Sequence, residues 1–270
     1  MSLQARSGII EDNWQLIPFL NVKYGPEDWE YLDQYRTPGN SGVAVVWFHG
    51  GGGVIGTNDI DVANHPFDAF RNAKQDVVSV KYGLSDEGAT YPKQQISAGR
   101  AIKWCYDEGY TKVVVFGNSW GGMIAGLATL DADKAAIKRA DAQVLWGVPT
   151  DFWTVTSPDA SGSLPAYFTG NYSGVAIPHS TLTESQLKSV SMWWIAESGQ
   201  LHVPTFCSYY RRVGVSGEIF NPHDGYYAQH IIDKMIALGE TNTESENTSS
   251  TGGILAIDAS GIANWIDNLG

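Results

Sequence analysis

Val113-Val114-Val115-Phe116-Gly117-Asn118-Ser119-Trp120-Gly121-Gly122 is the stretch whose reading decides the architecture. Its first four residues are apolar and mostly β-branched, the pattern of a strand covered on both faces inside a parallel sheet. The strand passes directly into G-x-S-x-G-G and then into residues 120–130, which read as an apolar helix. A strand that turns straight into a helix strains the residue at the turn and pushes its side chain into the open. The neighbours must then lack side chains that would clash. Gly117, Gly121 and Gly122 meet that need around Ser119. The helix that follows points its partly positive N-terminus at the serine, where it stabilises developing negative charge. Ser119 is the candidate nucleophile.

Working outward, residues 43–48 form a second buried strand, followed by His49-Gly50-Gly51-Gly52-Gly53-Val54-Ile55-Gly56. Consecutive glycines let backbone N–H groups approach an oxyanion, and two or three such donors supply several kcal/mol at a tetrahedral transition state. A dinucleotide-binding loop would need G-x-G-x-x-G opening a helix with an acid beyond it, and no helix start follows here. Further strands are expected at 76–80, 111–116, 142–146, 203–209 and 254–257. Between them, Pro92 opens a helix with Ile96, Ala101, Ile102 and Cys105 at helical spacing, closed by Gly109. Residues 222–238 place Tyr226, Tyr227, Ile231, Met235 and Leu238 on one helical side. Apolar strands alternating with helical patterns predict an α/β protein with a parallel sheet covered on both faces. Residues 154–199 are long, irregular and aromatic, which suggests a lid insertion. Residues 240–253 read as a polar, acidic surface loop.

Bulk composition narrows the field. With 270 residues and 43% hydrophobic content, the chain suits a single domain over 1–270 with a sizeable core. A formal charge of −12 argues against binding nucleic-acid phosphates or an anionic membrane surface. Cys105 and Cys207 are too few for a disulfide framework and show no zinc spacing, so both are expected as buried free thiols. The first residues lack the apolar core of a signal peptide, and no run approaches the ~18 apolar residues of a membrane span. The expectation is a soluble cytoplasmic protein with no metal and no cofactor.

Residues 49–56 resemble the H-G-G-G-F-V-I-G loop of hormone-sensitive-lipase-like esterases. Val78-Ser79-Val80-Lys81-Tyr82-Gly83-Leu84-Ser85-Asp86-Glu87 resembles their V-x-Y-R-L-A-P-E segment, and Tyr91-Pro92 and Trp104 match the F-P and R-W positions of the next helix. Tyr24-Gly25 and Leu32-Asp33-Gln34-Tyr35 resemble the incoming strand of related small esterases, feruloyl esterases and formamidases. The resemblance is specific over residues 24–152 and architectural beyond. It implies an α/β-hydrolase fold, a mostly parallel eight-stranded sheet with a short lid. It also implies a serine hydrolase of carboxylesterase type, cleaving a small ester or related acyl substrate through an acyl-enzyme on Ser119. By the same resemblance Gly51, Gly52 and Trp120 donate to the oxyanion, and His49 is structural. Two positions depart from the pattern: Gly83 stands where the family has Arg, and Ser97 where it has Asp.

A serine nucleophile needs a base, and in this fold the chain order is serine, acid, histidine. Glu218-Ile219-Phe220-Asn221-Pro222 resembles the family's D-x-x-V-P and makes Glu218 the positional acid; Asp224 in the same loop and Asp151 after the preceding strand compete. The histidine belongs after the last strand, yet none follows His230. Of His65, His179, His202, His223 and His230, His223 lies in the loop expected beside Ser119 and is the best-placed base. His230 reads as packing on its helix. Three readings stand: His223 serves, oriented by Glu218, Asp151 or Asp258; the lid histidine His179 completes the site on closure; or the base is lost and the protein binds without hydrolysing. The aromatics Trp153, Phe168, Tyr172, Trp193 and Trp194 are expected to shape an acyl or aryl pocket. Substrate identity and oligomeric state are not encoded in these motifs.

Overall fold

The computed structural model describes residues 17–60, 66–131, 138–152, 163–170, 181–209, 225–247 and 257–270. Eight strands form one sheet: β1 (Ile17–Lys23), β2 (Tyr31–Arg36), β3 (Val43–Phe48), β4 (Asp76–Lys81), β5 (Lys112–Asn118), β6 (Ala142–Trp146), β7 (Thr205–Tyr209) and β8 (Thr243–Asn247). Their spatial order is β1-β2-β4-β3-β5-β6-β7-β8. β2 runs antiparallel to β1 and β4, and the other pairs are parallel. β3 is buried throughout, and β5 is buried along its interior. In register, Val46 faces Val115 and Trp47 faces Phe116.

The described helices are α1 (Phe67–Asn72), α2 (Lys93–Asp107), α3 (Ser119–Leu130), α4 (Ser163–Thr169), α5 (Glu184–Ser189), α6 (Met192–Gly199), α7 (Gly225–Ala237) and α8 (Ala259–Asp267). Strand alternation divides the core between two faces. Val113 and Val115 of β5 pack with Ile102 of α2, Met123 and Leu127 of α3, Met192 of α6 and Met235 of α7. Val114 and Phe116 point the other way, to Phe70 of α1 and Ile262 and Trp265 of α8. Helices therefore cover both faces, as the sequence pattern requires. Cys105 and Cys207 are buried free thiols. No described helix is long and apolar enough to cross a membrane.

Two sequence expectations change. The last described strand is β8 at Thr243–Asn247, inside the stretch read as a polar loop; of the expected strand at 254–257, Ile257 is not in a strand and residues 254–256 lie outside the described residues. Among the described residues β8 pairs with β7 alone, at the sheet edge, where backbone bonds suffice and Glu244 stays exposed. The hydrophobic periodicity that marks central strands is absent there for that reason. On α7, Tyr227, Ile231 and Met235 are buried at four-residue spacing, but Tyr226 is 46% exposed, one residue off that stripe.

The two departures from the esterase pattern meet at one side chain, that of Trp29. A Cβ built on Gly83, which sits at φ +79, would lie 2.5 Å from Trp29 Cδ1. Trp29 Nε1 donates to Ser97 Oγ at 3.2 Å, and Ser97 donates to the fully buried Glu30 at 2.8 Å. Arg100 completes the pairing of Glu30 at 2.7 Å. A buried carboxylate needs such partners. The network ties the β1–β2 connection to α2.

Phe116, three residues before Ser119, is fully buried and packs against Trp47 (4.7 Å), Phe70 (5.5 Å) and Trp146 (6.1 Å). Phe116→Ala is expected to lower unfolding free energy by about 3–5 kcal/mol in urea titration. Ile236→Ala, at a residue 54% exposed, should stay within about 0.5 kcal/mol.

Candidate active site

Ser119 is the first residue of α3 and holds φ at +51, a left-handed conformation costly for a residue with a Cβ. Close approach of backbone to backbone fixes it there. A Cβ on Gly121 would sit 2.2 Å from the His49 carbonyl oxygen and 2.3 Å from that of Phe48, so α3 lies directly on the end of β3. A Cβ on Gly117 would sit 2.3 Å from Gly122 Cα. Asn118 Nδ2 donates to Trp146 O at 3.0 Å and holds the end of β5 to β6.

The glycine loop runs beside this elbow. A Cβ on Gly50 would meet Asn118 Oδ1 at 2.7 Å and Ser119 Cβ at 3.4 Å. Gly51, Gly52 and Gly53 follow at φ +107, +64 and +71, a backbone course that glycine adopts without penalty. The Gly51 carbonyl accepts from Val54 and Ile55 N–H, each at 3.1 Å, and the Gly53 carbonyl accepts from Ser85 N–H at 2.8 Å. Gln94 Nε2 donates to the same Gly53 oxygen at 3.2 Å, and Gln94 Oε1 accepts from the Trp120 indole at 2.9 Å. Trp120 is 4% exposed and packs edge-on to Tyr167 at 5.4 Å. Its backbone N–H lies in the first turn of α3, where a helix has no acceptor of its own.

His49 stacks on Tyr82 with ring centroids 4.6 Å apart, and its Nδ1 lies 2.7 Å from Gly50 O. Tyr82 in turn donates to His49 O at 2.8 Å. Burial holds the His49 imidazole below its usual pKa. It braces the loop.

Of the remaining candidates, Glu218, His223, Asp224, His65, His179, Trp153 and Tyr172 lie outside the described residues. The structure brings together a pair that sequence reasoning kept apart. Asp151, after β6, and His230, on α7, approach to 3.4 Å between Oδ2 and Nδ1. At that distance the contact is electrostatic and too long for a good hydrogen bond. Asp151 is fully buried and accepts from Ser191 Oγ at 2.8 Å. Trp193 packs 5.1 Å from the His230 ring, and Thr150 donates to Tyr227 O at 2.8 Å. Only the docking of α7 and α6 on the β6 loop creates this cluster, and no local motif announces it. His202 instead pairs with Glu240 at 3.2 Å, with 43% of its side chain exposed.

The aromatics of residues 153–194 separate as well. Phe168 lies 5.1 Å from Tyr91 and 5.8 Å from Tyr167, in the group that surrounds Trp120. Trp194 carries Lys188 over its ring at 4.0 Å and lines a cleft of about 720 Å³ with Asp131 and Leu201. Asp131 caps the C-terminal end of α3. A helix of twelve residues spans roughly 18 Å, so this cleft opens at the end away from Ser119. Trp193 packs on His230 as described. Those two tryptophans thus join the α5–α6–α7 packing.

A strained serine between a central parallel strand and a helix, beside a loop of consecutive glycines, belongs to the α/β-hydrolase fold, and this chain has that fold. Residues 45–172 match the sequence model of a family described as alpha/beta hydrolase fold. Among solved structures, the chain is similar to a truncated form of a carbohydrate esterase from gut microbiota, with TM-score 0.76 and 13% identity over 97% of this chain and 99% of that one. It is similar to carboxyl esterase 2 from the mycorrhizal fungus Tuber melanosporum, with TM-score 0.68 and 18% identity over 98% and 90%. An esterase from the bacterial hormone-sensitive lipase family gives TM-score 0.62 and 15% identity over 97% and 86%. At these identities the likeness is one of fold. No curated protein matches the chain in sequence.

Burial lowers the pKa of both His49 and His230 from the ordinary 6.5; for His230, the nearby Asp151 carboxylate opposes that shift and Lys234 adds to it. A lowered folded-state pKa means that the unfolded chain binds the proton first as pH falls. The stability from these two neutral imidazoles is present above pH 6.5 and declines as pH falls below it. Thermal melts between pH 7.5 and 5 should show a falling midpoint, and His230→Gln should flatten that slope.

Proposed function

We propose that the protein is a serine hydrolase that cleaves a small carboxylic ester or related acyl substrate through an acyl-enzyme on Ser119. The observation that carries this reading is the left-handed Ser119 at the head of α3, pressed against the glycine loop. Such strain is retained where surrounding packing over-determines it and function requires it. The similar structures named as esterases support the reading.

In this mechanism Ser119 Oγ attacks the substrate carbonyl while a base takes its proton. The N–H groups of Gly51, Gly52 and Trp120 hold the oxyanion of the tetrahedral intermediate; one such donor contributes about 3–4 kcal/mol. Collapse expels the alcohol, which receives the proton from the base, and water then releases the acid from the acyl-enzyme. His223 is assigned as the base and Glu218 as its orienting acid. No cofactor enters these steps, and the partner is a small acyl or ester molecule.

A second reading is a hydrolase-fold binding protein that has lost its base. It is favoured by one feature: no histidine follows β8 in the sequence, where the fold places the base. A fluorophosphonate probe together with short-chain aryl esters decides between the two. Wild type is expected to label and turn over, with Ser119→Ala doing neither. His223→Ala should lose about 10³-fold or more in kcat, while His230→Ala keeps activity within several-fold. A loss of that size at His230→Ala, with His223→Ala near wild type, would move the base to His230. A wild type that neither labels nor turns over would make the protein a binder.

A further inference from the structure

We propose that Gln94 is a positioning residue that locks the two halves of the oxyanion site to each other. The inference rests on the reading of Ser119 as an acyl-transfer nucleophile and adds to it a group that touches neither substrate nor serine.

The three proposed donors come from two separate segments. Gly51 and Gly52 belong to the loop after β3, and Trp120 to the head of α3. Oxyanion donors act only when their N–H groups converge to about 2.7–3.1 Å from one point. Misplacement by ~1 Å costs on the order of 10²-fold in rate. A run of glycines at left-handed φ has wide conformational freedom, so its course must be held from outside.

Gln94, the second residue of α2, supplies that hold. Its side chain is fully buried, and both ends of the carboxamide are used. Nε2 donates to the carbonyl of Gly53, next to Gly52, at 3.2 Å. Oε1 accepts from the indole of Trp120, the residue that follows the serine, at 2.9 Å. One planar group thus spans the two donor segments and fixes their spacing. The indole also lies flush against the loop, since a Cβ on Gly53 would come within 2.3 Å of Trp120 Nε1 and 3.0 Å of Gln94 Oε1. Tyr167 of α4 backs the indole edge-on, and Ser85 N–H holds the Gly53 carbonyl at 2.8 Å. Trp120 therefore contributes twice, its backbone to the oxyanion and its side chain to the tie.

A role confined to core stability would lower the melting temperature and leave the folded protein's kcat alone. The experiment measures kcat and KM on p-nitrophenyl acetate, and fluorophosphonate labelling rates, well below each variant's melting transition. Gln94→Leu is expected to lower kcat and labelling about tenfold or more with KM within about twofold. Gln94→Glu keeps the acceptor for Trp120 and regains a donor for Gly53 only when its carboxyl is protonated. Its kcat relative to wild type should therefore rise as pH is lowered. Gln94→Leu combined with Trp120→Phe should lose no more than the worse single variant. Should Gln94→Leu not fold, the pH ratio of Gln94→Glu decides. A folded Gln94→Leu with kcat within twofold of wild type, a loss confined to KM, or a flat pH ratio overturns the proposal alone. A wild type that neither labels nor turns over overturns the reading of Ser119 and this proposal with it.

Discussion

The structure depends on one steric constraint: Ser119 must turn left-handed in a space that leaves no room for a neighbouring Cβ. β5 brings the chain to the top of the sheet, and α3 must leave at once along the sheet face. The turn closes only if α3 can rest on the carbonyls of Phe48 and His49, and Gly121 alone among residue types permits that contact. The glycine loop is placed by the same contact, because it begins where those carbonyls end. The site is a by-product of how tightly β3, β5 and α3 close on one another.

What holds the loop is correspondingly indirect. Its backbone curls left-handed for three residues and has little intrinsic preference to do so. His49 stacked on Tyr82 steadies its start, and Ser85 and Gln94 grip the Gly53 carbonyl at its far side. Each of these supports is buried, so water does not compete for the bonds. The course of the loop is set by buried partners outside it.

Much of this was legible in the sequence where periodicity or glycine placement expresses a physical need. Residues 113–122 announced strand, turn and helix because burial on both faces and the close turn each restrict residue type severely. The same holds for residues 43–53. β8 was not legible, since an edge strand held by its backbone can carry Thr, Glu, Ser and Asn without cost. The pairing of Asp151 with His230 was equally hidden, because it arises from α7 docking across the β6 loop. The Gln94–Trp120 tie joins residues 26 apart and needs two helices packed at one angle. Sequence patterns encode local conformation and burial; they carry little about which buried polar groups find each other. Gly83 and Ser97 show the converse, for two departures 14 residues apart in sequence both contact the Trp29 side chain.

The two borders of the described sheet differ in kind, with a shared result. On β1 the pairing slips between Phe19 and Val22, where Asn21 adopts φ +55 and its N–H turns to Asp33 at 2.7 Å. On β8 the outer ladder is flanked by Glu244 and Glu246. A second chain arriving at β1 meets a kinked template, and one arriving at β8 as a copy of itself brings carboxylates against carboxylates. A parallel sheet with so apolar an interior is a hazard for fibrous aggregation whenever its rim is straight and neutral. Among the described residues the rim is bent at one end and charged at the other, and both features disfavour an added strand.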